Sequence, residues 1–376
     1  LSEFFFFYGT LRHEALLSAV VGRKLAPQRA VLPRTCLVEA RDGTRELAFP
    51  IPVPGPDGLE GVMVALSAKE RARLDYYEAG FQRDRAQVLS NGQPTDVWLY
   101  RPAPGRWQQG ASWEFAHWQA RWGAIAVAAA QEFMRGFGSV PADRALARYP
   151  QMLVRAASRL RAEAMPTPAE LRRQAQPEDI VIEAETVGYA HFFAVEDYRL
   201  RHRTFSGGET APLDRAVFVS GDAACVLPYD PVRDRVLLIE QFRPGPMARG
   251  DRNPWMLEPI AGRVDPFETP EEAVRREAVE EAGLSVGRLI VAPNYYPTPG
   301  AKSEFIYNFI ALTELSDGVG SPGGMIDEGE DIRPHLVSFA QLEGLLASGE
   351  LLNGPAVLLT LWLARLRPEL RAAAGA

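Results

Sequence analysis

From Arg276 to Gly283 the chain reads Arg-Glu-Ala-Val-Glu-Glu-Ala-Gly, and the glutamates of that run are the residues best spaced to do chemistry. On a helix Glu277 and Glu281 lie one turn apart, with Glu280 on the neighbouring edge. Like charges at that spacing repel. Val274, Ala278 and Ala282 form the adjacent apolar stripe, so the acidic edge is expected to border a core. Carboxylates crowded against a core need cations, and a hard dication with oxygen ligands meets that need. Mg²⁺ is the usual choice at phosphate chemistry, with Mn²⁺ as the alternative. The competing reading is a solvated acidic face neutralised by Arg275 and Arg276.

The run sits in a longer pattern: Gly262, Glu268, Arg276, Glu277, Glu280, Glu281 and Gly283. At each of these positions it resembles the Nudix box, with Ala278 standing where a larger aliphatic residue is commoner. The resemblance implies that Glu277 and Glu281 are the main metal ligands, joined by the backbone carbonyl of Ala261. Glu280 would be a secondary ligand, Arg276 would hold the acidic residues in place, and Glu268 would support the loop.

Flanking segments resemble the ADP-ribose pyrophosphatase branch of that family across residues 178–370. They are residues 189–203, 221–243, 254–258, 297–300 and 327–333. Pro299, sixteen residues beyond Gly283, has the spacing associated with ADP-ribose specificity. Phe192 offers a ring for stacking on adenine, or simply a strand residue in a core. Arg215 and Arg243 offer planar forks for phosphate or ribose oxygens, or surface ion pairs. Glu258 completes the expected substrate contacts. By the same resemblance, Phe192 and Arg215 come from the partner subunit of a domain-swapped homodimer and Arg243 from the chain that carries the box. Asp214 departs from the pattern, where the family often has another Arg.

The implied reaction is attack of water on one phosphorus of the pyrophosphate, with cations lowering the pKa of that water. Glu328 matches the family's mobile-loop base, with Glu330 the competing candidate. The products would be AMP and ribose 5-phosphate. Two alternatives stay open: a hydrolase of another nucleoside diphosphate sugar, and a ligand-sensing protein. The intact glutamate set argues against the second, as does the lack of a basic helix-turn-helix after it.

A second constellation lies near the start of the chain. Tyr8-Gly9-Thr10-Leu11, Gly61-Val62-Met63 and Leu74-Asp75-Tyr76-Tyr77-Glu78 resemble the gamma-glutamylcyclotransferase-like family over about residues 3–103. That family has a small mixed β-barrel and forms 5-oxoproline from gamma-glutamyl compounds. Backbone amides of the turn Tyr8, Gly9, Thr10 and Leu11 would hold a substrate carboxylate, and Glu78 would move the amine proton. Ala79 replaces a common Gly, and Phe81-Gln82-Arg83 a Tyr-containing segment. A retained fold acting only as a binding or spacing module is the alternative. Some proteins of this two-part design carry tellurite-resistance labels.

These residues need elements to position them, and 376 residues favour two cores over one. The expected class is mixed α+β and α/β: a small barrel at residues 1–105, a helical extension and linker at 106–175, and a Nudix α/β/α sandwich at 176–376 preceded by an exchanged β-segment. Strands are expected at residues 4–8, 61–66, 97–100, 180–185, 190–193, 223–228, 236–241 and 255–260. Helices are expected at 112–137, 150–165 and 355–366, the first with Phe115, Trp118, Trp122 and Ile125 on a core-facing stripe. Thr269 as N-cap, Pro270 at the first helical position and Glu272 as capping-box partner start the acidic helix, and Gly283 ends it.

Residues 4–7, all Phe, read as a buried first strand and not as a signal peptide. No segment reaches membrane-spanning length. Cys36 and Cys225 lack metal-like spacing and suggest a reduced, cytoplasmic chain. The net charge of −7 argues against a nucleic-acid partner and leaves a small nucleotide substrate open, because local arginines or cations can reverse the sign at one site.

Overall fold

The computed structural model describes residues 2–43, 45–320, 323–324 and 329–376, without the side chains of residues 45, 46 and 48. The chain divides into two units, Leu1–Pro166 and Thr167–Ala376. Among the described residues, no helix is long and apolar enough to cross a membrane.

The first unit runs β1 (Glu3–Phe7), α1 (Glu14–Val21), β2 (Gln28–Leu32), β3 (Thr35–Asp42), β4 (Arg45–Pro54), β5 (Leu59–Leu66), α2 (Ala68–Tyr77), β6 (Gln82–Ser90), β7 (Gln93–Arg101), β8 (Gln108–Ser112), α3 (Phe115–Arg135), α4 (Ala142–Ala147) and α5 (Tyr149–Ala164). Strands β1-β5-β2-β6-β7 close a barrel, and β4-β3-β8 form a separate sheet. The phenylalanine run has two cores to fill because successive strand side chains point to opposite faces. Phe6 packs inside the barrel with Met63, Val88 and Leu99. Phe5 and Phe7 pack outward against the helices, with Leu16, Leu74 and Phe133. Gly61 lets β5 approach this strand, since a Cβ there would lie 2.4 Å from Phe6 Cζ.

The helices after residue 112 belong to this first core. Trp118, Trp122 and Ile125 are buried in it, with Phe115 packed against its edge. Arg155 of α5 and Glu132 of α3 form a buried ion pair that ties the two helices together. Burying two charges is offset only where they pair.

The second unit begins with the antiparallel strands β9 (Ile180–Ala190), β10 (Ala194–His202) and β11 (Leu213–Val219), ordered β11-β10-β9. It continues through β12 (Ala223–Asp230), β13 (Arg235–Phe242), α6 (Pro244–Arg249), β14 (Trp255–Glu258), β15 (Ile260–Arg263) and α7 (Pro270–Ala282). Then follow β16 (Arg288–Tyr295), β17 (Ile306–Leu312), β18 (Arg333–Ser338), α8 (Phe339–Ser348) and α9 (Gly354–Ala373). The larger sheet is ordered β14-β13-β12-β17-β16, with β15 paired to β12 and β18 to β13. Strand β12 shows why the unit is a sandwich. Ala224 and Val226 face Val274, Ala278 and Ala282 of α7. Cys225, Leu227 and Tyr229 face Leu359 and Leu363 of α9 on the other side.

Three expected boundaries change. Residues 255–260 are two strands, not one, because Pro259 cannot donate to a ladder and the chain steps from β13 to β12 there. Residues 191–193 form the turn between β9 and β10 and not a strand, so Phe192 is exposed at a hairpin tip. The last helix continues past Leu366 to Ala373, carrying Pro368 inside it. Both cysteines are free, Cys225 buried in the sheet.

Candidate active sites

The acidic helix is written to start and stop where it does. Thr269 Oγ1 accepts from the Glu272 N–H at 3.2 Å, the Glu272 carboxylate accepts from the Thr269 N–H at 2.8 Å, and Gly283 takes φ +62° at the end. Such a cap is worth about 1 kcal/mol. It fixes which face of α7 meets β15.

Arg276 is the hub of that face. Its Nε and Nη2 donate to both Glu268 oxygens at 2.9 and 3.0 Å. Its Nη1 donates to Glu277 at 2.7 Å and to Glu280 at 2.9 Å. Nη2 also reaches the Arg263 carbonyl at 3.2 Å. Glu281, only 2 % exposed, accepts from the Ala261 N–H at 3.1 Å. Burial pushes the Glu277 carboxyl up to about 7, against the pull of Arg276. Burial, with Glu277 and Glu330 adding repulsion, pushes Glu281 up to about 8.

Burial raises both carboxyls, one half-buried and one buried, and their donors are hard oxygens. That is the chemistry of a divalent-cation site. Among the described residues no three acidic, His or Cys side chains already converge as a metal cage. Arg276 bonds one oxygen each of Glu277 and Glu280.

Next to the helix, Glu258 is buried and accepts from Arg243 Nε at 3.0 Å and Nη2 at 2.7 Å. Asn353, the N-cap of α9, donates to Glu258 at 3.2 Å. Arg243 lies in the field of Glu281 and Glu330 as well. The structure thus brings Ala261, Glu277, Glu280, Glu281, Arg243, Glu258 and Glu330 into one neighbourhood. Glu328 lies outside the described residues. Among the described residues before it, the Gly324 N–H donates to the Glu280 carbonyl of α7 at 3.1 Å, and Gly323 pairs with Ile332.

Other expected contacts stand elsewhere. Arg215 is exposed on β11, its Nη1 donating to its neighbour's carbonyl at Asp214. Pro299 is exposed in the turn after β16, whose far end is tied to β11 by Phe218 and Ala301. Phe192 lies under the guanidinium of Arg263 at 4.1 Å, so this ring meets the box of its own chain. Asn353 and Arg263 escaped the sequence reading. An Asn before Gly-Pro does signal a helix cap, but nothing local points it at Glu258.

In the first unit, Tyr8, Gly9, Thr10, Leu11 and Glu78 line one cavity of about 50 Å³. Phe6, Phe7 and Phe81 also line it, as do Phe49, Pro50 and Tyr100, to which the sequence reading gave no role at this site. Gly9 starts a 3₁₀ turn over Thr10–Arg12, and Tyr8 donates its hydroxyl to the Tyr100 carbonyl. Glu78 caps the end of α2. Part of its surface stays accessible because it lines the cavity, yet protein atoms surround it, and burial alone pushes its carboxyl up to about 8.

The comparisons with known proteins agree with this division. The NUDIX domain family matches residues 219–349, and the family described as gamma-glutamyl cyclotransferase, AIG2-like matches residues 5–120. The chain is 39% identical over 187 residues to an ADP-ribose pyrophosphatase of Escherichia coli strain K12, spanning 49% of this chain and 88% of that one. It is 35% identical over 188 residues to an ADP-ribose pyrophosphatase of Haemophilus influenzae, spanning 50% and 86%. A GDP-mannose pyrophosphatase of Escherichia coli strain SMS-3-5 is 35% identical over 156 residues, spanning 42% and 80%. The chain belongs to the Nudix hydrolases and carries a gamma-glutamyl cyclotransferase-like unit ahead of its hydrolase unit.

Proposed function

We propose that the second unit hydrolyses the pyrophosphate of ADP-ribose, giving AMP and ribose 5-phosphate. The observation that carries this reading is the placement of half-buried Glu277 and buried Glu281 on one face of α7, against Gly262 and the Ala261 N–H of β15, with Arg243 near Glu281. When bound by Glu277, Glu281, Glu280 and the Ala261 carbonyl, a divalent cation, Mg²⁺ or Mn²⁺, supplies charge neutralisation and a lower pKa for the attacking water. Arg243, aimed by Glu258 and Asn353, holds phosphate or ribose oxygens with its fork. Glu330 or Glu328 accepts the proton as water adds to phosphorus, and the bridging P–O bond breaks so that the second phosphate monoester leaves with the bridging oxygen. Phe192 stacks on the adenine, and the loop of Pro299 borders the ribose.

The names of the relatives support nucleotide-sugar chemistry and leave a competing substrate, so the test is a panel. With Mg²⁺, ADP-ribose should exceed GDP-mannose and other nucleoside diphosphate sugars in kcat/KM by about tenfold or more. Glu281→Gln should lose about 100-fold while keeping its circular dichroism spectrum. Faster turnover of GDP-mannose would move the chain to the other reading.

The same unit is read as a homodimer. Ile180, Ile182, Val187, Tyr189 and Phe192 are exposed on the β9–β11 sheet and its hairpin tip. A patch of that kind marks a contact surface. A partner chain covering it would bring Phe192 and Arg215 to the neighbouring site.

The first unit is read as a gamma-glutamyl cyclotransferase. Glu78, raised to about 8, faces the turn at residues 8–11 across one cavity. Turn amides hold the substrate carboxylate, and Glu78 carries the amine proton to the leaving group.

A further inference from the structure

The Glu78 cavity does not stand alone. A second cavity, of about 120 Å³, shares Thr10, Phe49, Glu78 and Phe81 with it. The rest of its wall is apolar or aromatic, built from residues such as Trp118, Trp122, Ala126, Phe133 and Leu153 on α3 and α5. Tyr77 and Tyr149 also line it, but their hydroxyls bond each other at 3.0 Å. Glu78 is the one charged side chain among the described residues that line it. Close-packed interiors rarely leave a void this large. Part of this wall, from Trp122 to Leu153, lies beyond residue 120, where the match to the cyclotransferase family ends. The chamber is therefore built jointly by the helical extension and by residues of the family-matched region.

We infer that this chamber receives the leaving group, so that the substrate of the first unit is a gamma-glutamyl amide of an apolar or aromatic amine. The inference rests on the cyclotransferase reading above. In the reaction the substrate's α-nitrogen, once deprotonated, attacks the γ-carbonyl carbon. The new C–N bond closes 5-oxoproline, and the bond to the amine nitrogen breaks. Glu78 takes the proton that the attacking nitrogen sheds and passes it to the departing amine, which gains its second proton from water. No oxidant or co-reactant is needed.

The wall decides the amine. An amino-acid leaving group would bring a carboxylate into a chamber with no cation among the described residues of its wall, and an unpaired buried charge is costly. A ring or alkyl chain gains from leaving water. A closed apolar cavity of roughly 150 Å³ accepts benzene. A chamber of about 120 Å³ that opens onto the Glu78 site suits one ring or a short chain.

The experiment uses the full chain and a series of gamma-glutamyl n-alkylamides from methyl to pentyl, with gamma-glutamyl-benzylamide and gamma-glutamyl-glycine. 5-Oxoproline release is measured for each. The inference expects kcat/KM to rise about threefold to fourfold per methylene until the chamber is full. Benzylamide should exceed the glycine compound by at least 100-fold. Ala126→Leu, which fills the chamber from α3, should flatten the series. Release that is equal across the series, or best with glycine, overturns the inference and leaves the cyclotransferase reading standing. A slope unchanged in Ala126→Leu overturns the placement of the leaving group. No 5-oxoproline from any member overturns the cyclotransferase reading, and the inference falls with it.

Discussion

A β-carbon added to Gly262 would lie 1.7 Å from Oε1 of Glu277. Strand β15 therefore runs flush against α7, and the glycine sets where the Glu277 carboxylate can stand. Gly262→Ala is expected to push Glu277 off its contact with Arg276 and to lower ADP-ribose turnover by about 10- to 100-fold, the usual effect of disturbing a ligand's support. Steady-state kinetics paired with a thermal melt checks this. Wild-type kcat in a folded variant would show that Glu277 is not placed by the strand.

Subunit mixing tests where the substrate groups come from. Arg215→Ala and Glu281→Gln should each be nearly inactive alone. If Arg215 serves the partner's site, mixed subunits regain about a quarter to a half of wild-type activity, since one site per heterodimer is intact. The contact of Phe192 with Arg263 of its own chain makes this worth measuring. Inactivity after verified subunit exchange would place Arg215 and the box in the same chain's site.

The two units are expected to work apart. Each has its own core, and the helices α3 and α5 are buried in the first. A fragment covering residues 167–376 should fold and hydrolyse ADP-ribose within about twofold of the full chain. Glu78→Gln in the full chain should leave that rate unchanged. Aggregation of the fragment, or loss of most of its activity, would count against independent units.

Glu78 should leave a pH signature on stability. Its carboxyl is raised from 4.5 to about 8 in the folded chain. Below pH 4.5 both states hold the proton, and no penalty exists. As pH climbs toward 8 the unfolded chain releases the proton first, so stability is lost across that window. Glu78→Gln removes the effect. The variant should match wild type near pH 4 and exceed it near pH 8 by on the order of 1–2 kcal/mol, after discounting for the open side of the cavity. Urea unfolding of the first unit at the two pH values reads this directly. Over the same range, 5-oxoproline release by wild type should rise toward a limb near pH 8.

Much of this was legible because it was local. The acidic helix declared its start at Thr269 and its end at Gly283, and the carboxylate spacing followed from the helix period. The phenylalanine run was legible as a strand, though its service to two cores was not, because the second core needs helices more than a hundred residues away. What escaped was set by distance in sequence. Asn353 meets Glu258 across 95 positions, and Phe49 meets Phe81 and the Glu78 cavity through a strand crossing that no local pattern encodes. Phe192 was misplaced by a few residues, and that was enough to move it from a ladder to an exposed hairpin tip.

The rooting of the Gly323 and Gly324 segment on the last turn of α7 bears on how this unit tolerates changes in length. Residues added between Gly324 and Ile332 are expected to leave Gly323, Gly324 and Ile332 in place, since these are pinned by backbone hydrogen bonds. One residue added within α7 would instead rotate everything after it by about 100°. Glu280 and Glu281 would leave their places, and the bond from Gly324 to Glu280 would go with them. Length variation is therefore expected to collect between Gly324 and Ile332 and to be barred from the helix.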